Sequence, residues 1–318
     1  MEILKDVASD EYSRLPKQFW WGSDCLYEWR GFWFRLPHLP GIRNVAEHFD
    51  PAPGDVVLAS FPKTGTTWMK ALLYSIIHQG DFSCSLRDKH PHELIHVMEL
   101  QDFGPSAVSS SRGSGTERHT STGIHHTHIP FSILADKYRT SECRIIYVTR
   151  NPKDTLISLW HFACASDTFA SSASLQDLVE KFCSGVVPYG SYYNHVLEHW
   201  KESLERPDKV LFVSYEELKA DQKKQIKRIA KFLSQPFHGN DEDGVVEEIV
   251  RSCSFKSMSE YEANKSREEA EWLGLPYNAF FRKGEVGDHK NYLNEEMIEK
   301  INRKTVKKFH DAGFMYGI

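Results

Sequence analysis

Long apolar runs are missing from this chain. No stretch of its 318 residues approaches the length needed to cross a bilayer. The opening Met1-Glu2-Ile3-Leu4-Lys5-Asp6 is too charged for a secretory signal. Closely spaced cysteines are missing as well. The six (Cys25, Cys84, Cys143, Cys164, Cys183, Cys253) are scattered with no Cys-x-x-Cys, which argues against a disulfide frame or a zinc knuckle and for free thiols in a reducing compartment. Positive charge is in short supply: 39 Lys and Arg face 44 Asp and Glu, a net charge of −5. A general nucleic-acid surface is therefore not expected, and any anion site must be local. The expectation is a cytoplasmic protein with neither a membrane nor a nucleic acid as partner. No internal repeat is visible, and a hydrophobic content of 40% is ordinary for a globular protein with a sizeable core.

What the chain does have is a concentrated turn. Val56-Val57-Leu58 runs into Phe61-Pro62-Lys63-Thr64-Gly65-Thr66-Thr67-Trp68, and Met69, Leu72, Leu73 and Ile76 follow at helical spacing. Strand, tight turn and helix N-terminus together hold phosphate-like anions, because backbone N–H groups and the positive end of the helix dipole point at one spot. Lys63 adds a full charge and the threonines add hydroxyl donors. This is not the Walker A loop, in which the lysine follows the second glycine; here Lys63 precedes Gly65.

The rest of the chain alternates in the same way. A strand is expected at 56–60 and a helix at 67–78. The segment Gly123 to Pro130 precedes a buried strand, Arg144 to Thr149. Pro152 then suits the first turn of a helix through Leu156, Leu159 and Trp160. A third apolar strand, Val210-Leu211-Phe212-Val213, leads to a helix from Glu216 to Leu233, an acidic turn at 240–243 and a helix at 245–251. A polar, Gly-bearing segment at 282–292 precedes a last helix from Glu295 to His310. Ser-rich stretches at 104–118 and 166–174 are expected as surface loops able to act as lids. The fold class is α/β: a single domain over 1–318, with a central parallel sheet flanked by helices on both faces and a phosphate loop. Ligands of such sheets bind at the carboxyl ends of the strands.

Further cations fall at such ends. Arg150 closes the strand 144–149, where a nucleotide triphosphatase or kinase would carry a magnesium-holding Asp. A guanidinium there suits a phosphate and repels a metal; pairing with a nearby carboxylate is the alternative. Ser158 lies two helical turns on. Arg282-Lys283-Gly284-Glu285-Val286-Gly287-Asp288 sets two cations beside two glycines. One phosphate loop and two further basic sites suit a ligand with anionic groups at both ends.

In this order, Pro62 to Trp68, Arg150-Asn151-Pro152-Lys153-Asp154, Tyr215-Glu216-Glu217, Ser254-Phe255 and Arg282-Lys283-Gly284-x-x-Gly287-Asp288 resemble the motifs of the cytosolic sulfotransferases, most of all the plant branch. The resemblance runs from about Leu15 to the end. It implies transfer of a sulfuryl group from 3′-phosphoadenosine 5′-phosphosulfate (PAPS) to a hydroxyl of a small apolar acceptor, with adenosine 3′,5′-bisphosphate (PAP) leaving and no metal required. It assigns Lys63, Thr64, Gly65, Thr66, Thr67 and Trp68 to the 5′-phosphosulfate, with Trp68 also stacking on adenine. Arg150 and Ser158 go to the 3′-phosphate, with Arg282, Lys283 and Gly284 closing over it. Tyr215 and Phe255 go to the nucleotide, although core packing explains either without a ligand. His128, in Thr127-His128-Ile129-Pro130, is implied as the general base, and Lys63 as the cation at the bridging oxygen.

Departures from the family pattern accompany this. His126 stands where some members carry a Lys near the sulfuryl group, which suggests a pH-dependent field there. His289 replaces the usual Trp after Gly-Asp. The dimerisation motif of animal members is broken, Lys290 being followed at its middle positions by Asn294 and Glu295, so a monomer is expected. His126 and His128 share a face on a strand and, with His125, allow a zinc reading that no nearby Cys, Asp or Glu in the sequence completes. Trp20, Trp21, Trp29, Phe32, Trp33, Phe82 and Phe162 are candidates for an acceptor wall, or simply for capping the sheet. Rival readings are a magnesium-dependent nucleotide kinase and a non-catalytic nucleotide-binding protein.

Overall fold

The structure, a computed structural model, describes residues 12, 14–21, 24–79, 82–104, 123–165, 174–237, 242–267, 269–270 and 272–318. The expected loop at 104–118 falls outside these residues apart from Gly104, that at 166–174 apart from Ser174, and the acidic turn apart from 242–243.

Four parallel strands form the centre: β4 (Val56–Ser60), β5 (Ile124–Thr127), β6 (Arg144–Thr149) and β7 (Val210–Ser214), in the order β5-β4-β6-β7. Ahead of them β1 (Lys17–Phe19), β2 (Cys25–Trp29) and β3 (Phe32–Arg35) make an antiparallel meander, and β8 (Glu269–Ala270) pairs with β9 (Leu275–Pro276). Side chains alternate across a strand, and the two faces of the central sheet lead to two cores. Val57, Ala59, Ile145 and Tyr147 enter one core, while Val56, Leu58, Ile146 and Val148 enter the other. Helices cover both faces, as the alternating pattern predicts.

Register brings the ends of the strands together. Ala59 pairs with Thr127, Ser60 with Val148 and Thr149 with Ser214. The residues that leave the sheet at this edge are therefore, in spatial order, His128, the Phe61–Gly65 loop, Arg150 and Tyr215. Local sequence holds each exit. Asn151 caps the helix Pro152–Cys164 through its side chain, and Ser214 with Glu217 forms a capping box at the helix Tyr215–Ala220.

Three expectations need correction. The helix placed from Glu216 to Leu233 is two, Tyr215–Ala220 and Gln222–Phe232. Asp221 leaves the helical region there (φ −151°) and its carboxylate caps the second helix at Lys224 N. Residues 124–127 form a strand of the main sheet rather than a mere prelude to one. The aromatic N-terminus, for which no element is expected above, contains the β1–β3 meander.

Candidate active site

The loop after β4 is shaped by its own polar groups. Lys63 has φ 71° and Gly65 φ 107°, and a Cβ on Gly65 would come within 2.8 Å of the Tyr215 ring, so only glycine permits this approach. Thr64 turns inward, donating its hydroxyl to Phe61 O at 2.7 Å and Val148 O at 2.9 Å. That corrects the expectation of a third hydroxyl for the ligand: the Thr64 side chain pins the loop to β6. The helix Thr66–Ile77 starts straight from the loop and points its N-terminus into a cavity of about 700 Å³.

Every nominated residue except Thr64 lines this one cavity: Lys63, Gly65, Thr66, Thr67 and Trp68 from the loop and the first turn of its helix, His128 just past β5, Arg150 just past β6 and Ser158 from the helix that follows, and Tyr215, Phe255, Arg282, Lys283 and Gly284. Lys63 is half-buried, with its Nζ 3.6 Å from the centroid of Phe162. Burial, then Arg150 and Arg282, pull its pKa down to about 7. Mutual repulsion between Lys63 and these two arginines shows that three cations distant in sequence crowd one space. An anion with charge at both ends would relieve it.

Arg150 lies with its guanidinium carbon 4.6 Å over Tyr215 and donates Nη2 to Glu285 O at 2.6 Å. Asp154, the carboxylate within reach, is 3.9 Å away and bonds instead to Gly287 N, His289 N and His289 Nδ1, at 2.7, 3.0 and 2.7 Å. Buried and without a partner are Arg150 Nε and Trp68 Nε1. Unsatisfied donors in a cavity wall are what a bound nucleotide would complete. Trp68 meets Tyr215 edge-on at 5.4 Å. Phe255 lies against Gly284 (φ 65°), where a Cβ would come within 2.4 Å of the Phe255 ring. Arg282 and Lys283 are not idle: both bind the buried Asp288 carboxylate, at 2.6 and 2.7 Å. Their charge faces the cavity already oriented, which the motif alone did not reveal.

His128 is fixed at two points. Its backbone N donates to the buried Glu99 at 2.9 Å, and its Nδ1 lies 2.7 Å from Ser60 O. A carbonyl only accepts, so Nδ1 carries the proton and the Nε2 lone pair is left for the cavity. Burial holds the ring pKa near 3, so it is neutral near pH 7.

His126 does share the face of His128, ring centroids 4.5 Å apart, but it is wholly buried, does not line the cavity and sits 3.2 Å from Ser60 Oγ. Burial depresses its pKa well below the ordinary value, so the expected pH-dependent field at that position is replaced by a neutral, packed ring. His125 projects the other way, onto Asp55 at 3.4 Å. Among the described residues no group of three or more His, Cys, Asp or Glu side chains is placed to hold a metal ion.

The aromatic candidates divide between the cavity and the cores. Trp20 and Phe162 line the cavity; Trp21, Phe32 and Phe82 belong to the cores, and Trp29 and Trp33 pack against one. Arg35, His38, Val97, Tyr189, Trp272 and Phe280 line the cavity as well. The meander decides this, because Trp33 pairs with Gly190 and so brings Arg35 and Tyr189 to the same rim. No sequence spacing signals that pairing.

Residues 53–313, well over half of the chain, match the Sulfotransferase domain family. The chain is a sulfotransferase. It is 38% identical to cytosolic sulfotransferase 6 of Arabidopsis thaliana, over 99% of this chain and 98% of that protein. With cytosolic sulfotransferase 17 of the same plant it shares 36% identity, over 94% and 87% respectively. A crystal structure of a mouse sulfotransferase complexed with PAP superposes with a TM-score of 0.68 at 28% identity, covering 91% of this chain and 95% of that one. Among the described residues of this sulfotransferase no helix is long and apolar enough to cross a membrane.

Proposed function

We propose that this sulfotransferase moves the sulfuryl group of PAPS to a hydroxyl of a small, largely apolar acceptor, with His128 as general base. One observation carries the reading. The Nδ1–Ser60 O bond leaves the Nε2 lone pair of His128 on the wall of the same cavity that gathers Lys63, Arg150 and Arg282. PAPS supplies the activated S–O bond. His128 Nε2 takes the acceptor hydroxyl proton as the new O–S bond forms, worth about 10²–10⁴ in rate for such a base. An anionic sulfuryl group beside the ring favours its protonated form and restores the basicity that burial removes. Lys63 offsets the charge that develops on the bridging oxygen as PAP leaves.

The loop amides of Lys63 to Trp68 suit the 5′ end, while Arg150, Ser158, Arg282, Lys283 and Gly284 suit the 3′-phosphate. Trp68, Tyr215 and Phe255 suit the adenine. PAP in the mouse relative supports the same donor here. The naming of the plant relatives supports a cytosolic site of action. One sulfotransferase domain spans 1–318, with 1–50 near the acceptor end, and the broken dimerisation motif favours a monomer.

Labelled PAPS offered with a panel of phenols, flavonols, steroids and hydroxy acids tests this directly. Label should reach at least one acceptor, and EDTA should leave the rate unchanged. Wild-type protein that binds PAPS yet sulfates nothing in the panel overturns the catalytic reading.

A further inference from the structure

One buried cation has no part in the scheme above. Lys70, one turn into the helix Thr66–Ile77, is fully buried, its Nζ 2.7 Å from Ile95 O and 2.8 Å from His92 Nδ1. His92 Nε2 in turn lies 3.2 Å from Thr67 Oγ1. His92 is held firmly: Pro91 starts its short helix, His90 caps it, and the ring packs on Phe280 at 4.6 Å and Trp272 at 5.3 Å.

With Lys70 as the ammonium, donor and acceptor rules fix the direction of this chain. Ile95 O only accepts, so one N–H of Lys70 points there. An ammonium has no lone pair, so a further N–H must point at His92 Nδ1; Glu99 and Asp102 favour this charged form against the burial that lowers the Lys70 pKa. A protonated imidazole would set N–H against N–H, so the ring is neutral and its one proton sits on Nε2. Nε2–H donates to Thr67 Oγ1. The hydroxyl oxygen is then an acceptor on its protein side, and its own proton is left for the cavity that Thr67 lines.

We propose that Lys70 and His92 form a positioning relay that fixes the Thr67 hydroxyl as a donor toward the 5′-phosphate end of the bound nucleotide. This rests on the reading of the cavity as a PAPS site. Neither Lys70 nor His92 touches the 5′-phosphate in this scheme; they spare Thr67 the entropy of choosing a rotor.

The test is a double-mutant cycle read as binding of PAP and, separately, of adenosine 3′-monophosphate, which lacks the 5′-phosphate. Thr67→Val and His92→Phe should each weaken PAP about tenfold and leave the monophosphate unchanged. The double variant should bind PAP no worse than Thr67→Val, because the relay acts only through that hydroxyl. Additive losses, or equal losses for both nucleotides, overturn the proposal. Should His92→Phe fail to fold, Lys70→Met, which keeps the apolar volume, is held to the same outcomes. Wild-type protein that fails to bind PAP brings down the donor reading and the relay together; additive losses in a protein that binds it bring down the relay alone.

Discussion

Asp154 and His289 meet twice: one carboxylate oxygen accepts both the backbone N and the ring Nδ1 of His289, at 3.0 and 2.7 Å. Asp154 belongs to the helix that follows Arg150, and His289 to the turn after Arg282 and Lys283. The pair thus ties together the two halves of the proposed 3′-phosphate clamp, and the residue that departs from the family's Trp does this by hydrogen bonding. His289→Ala should weaken PAP several-fold, with a modest drop in melting temperature. Asp154→Ala should cost more, about 1–3 kcal/mol for each buried donor left unpaired. Calorimetry on the two variants checks the order, and equal affinity of His289→Ala and wild type would refute the tie.

His128→Ala should lower kcat by about 10²–10⁴ while PAP affinity stays near that of wild type. Transient kinetics beside equilibrium binding separates the two. A large loss of PAP affinity would instead assign His128 to the frame of the site, through its bonds to Glu99 and Ser60.

Arg150→Ala should weaken PAP by tenfold or more, as expected for a charge-assisted bond at about 1.5–3 kcal/mol, and leave adenosine 5′-phosphosulfate, which has no 3′-phosphate, nearly unaffected. Equal losses for both nucleotides would remove Arg150 from the 3′-phosphate.

Lys63 predicts a proton linkage. Its folded pKa of about 7 lies below the ordinary 10.5. Between those values the free protein holds Lys63 largely neutral, and an arriving phosphate favours the ammonium. PAP binding at pH 8–9 should therefore take up a proton, visible as a buffer-dependent binding enthalpy and absent in Lys63→Met. The sign for stability follows. Below about pH 7 Lys63 is charged in both states and its burial costs the most; that cost is relieved as pH rises from about 7 toward 10.5. Bisphosphate binding that releases protons would contradict the assignment.

The alternating strand and helix pattern, the phosphate loop, Arg150 and the Arg282–Asp288 motif were legible in the amino-acid sequence, because each is a local device. A strand end, a helix N-terminus and a glycine at positive φ are set within a few residues. Their order along the chain also pointed to the family.

Partners across the fold were not legible. The sequence put Thr64 among the ligand donors, but Val148 O, 84 residues away, takes its hydroxyl. It left Trp21 and Phe32 open between an acceptor wall and sheet capping; they are core residues, and the pairing of Trp33 with Gly190 brings Arg35 and Tyr189 to the cavity rim. The strand Ile124–Thr127 is four residues with histidines on both faces, too short and too polar for periodicity to mark. Local spacing fixes conformation within a turn or two, and that was enough for the donor loop. Which side chains face one another depends on sheet register and burial, so the cavity rim, the paired Asp288 and the Lys70–His92 contact were decided only by the tertiary structure.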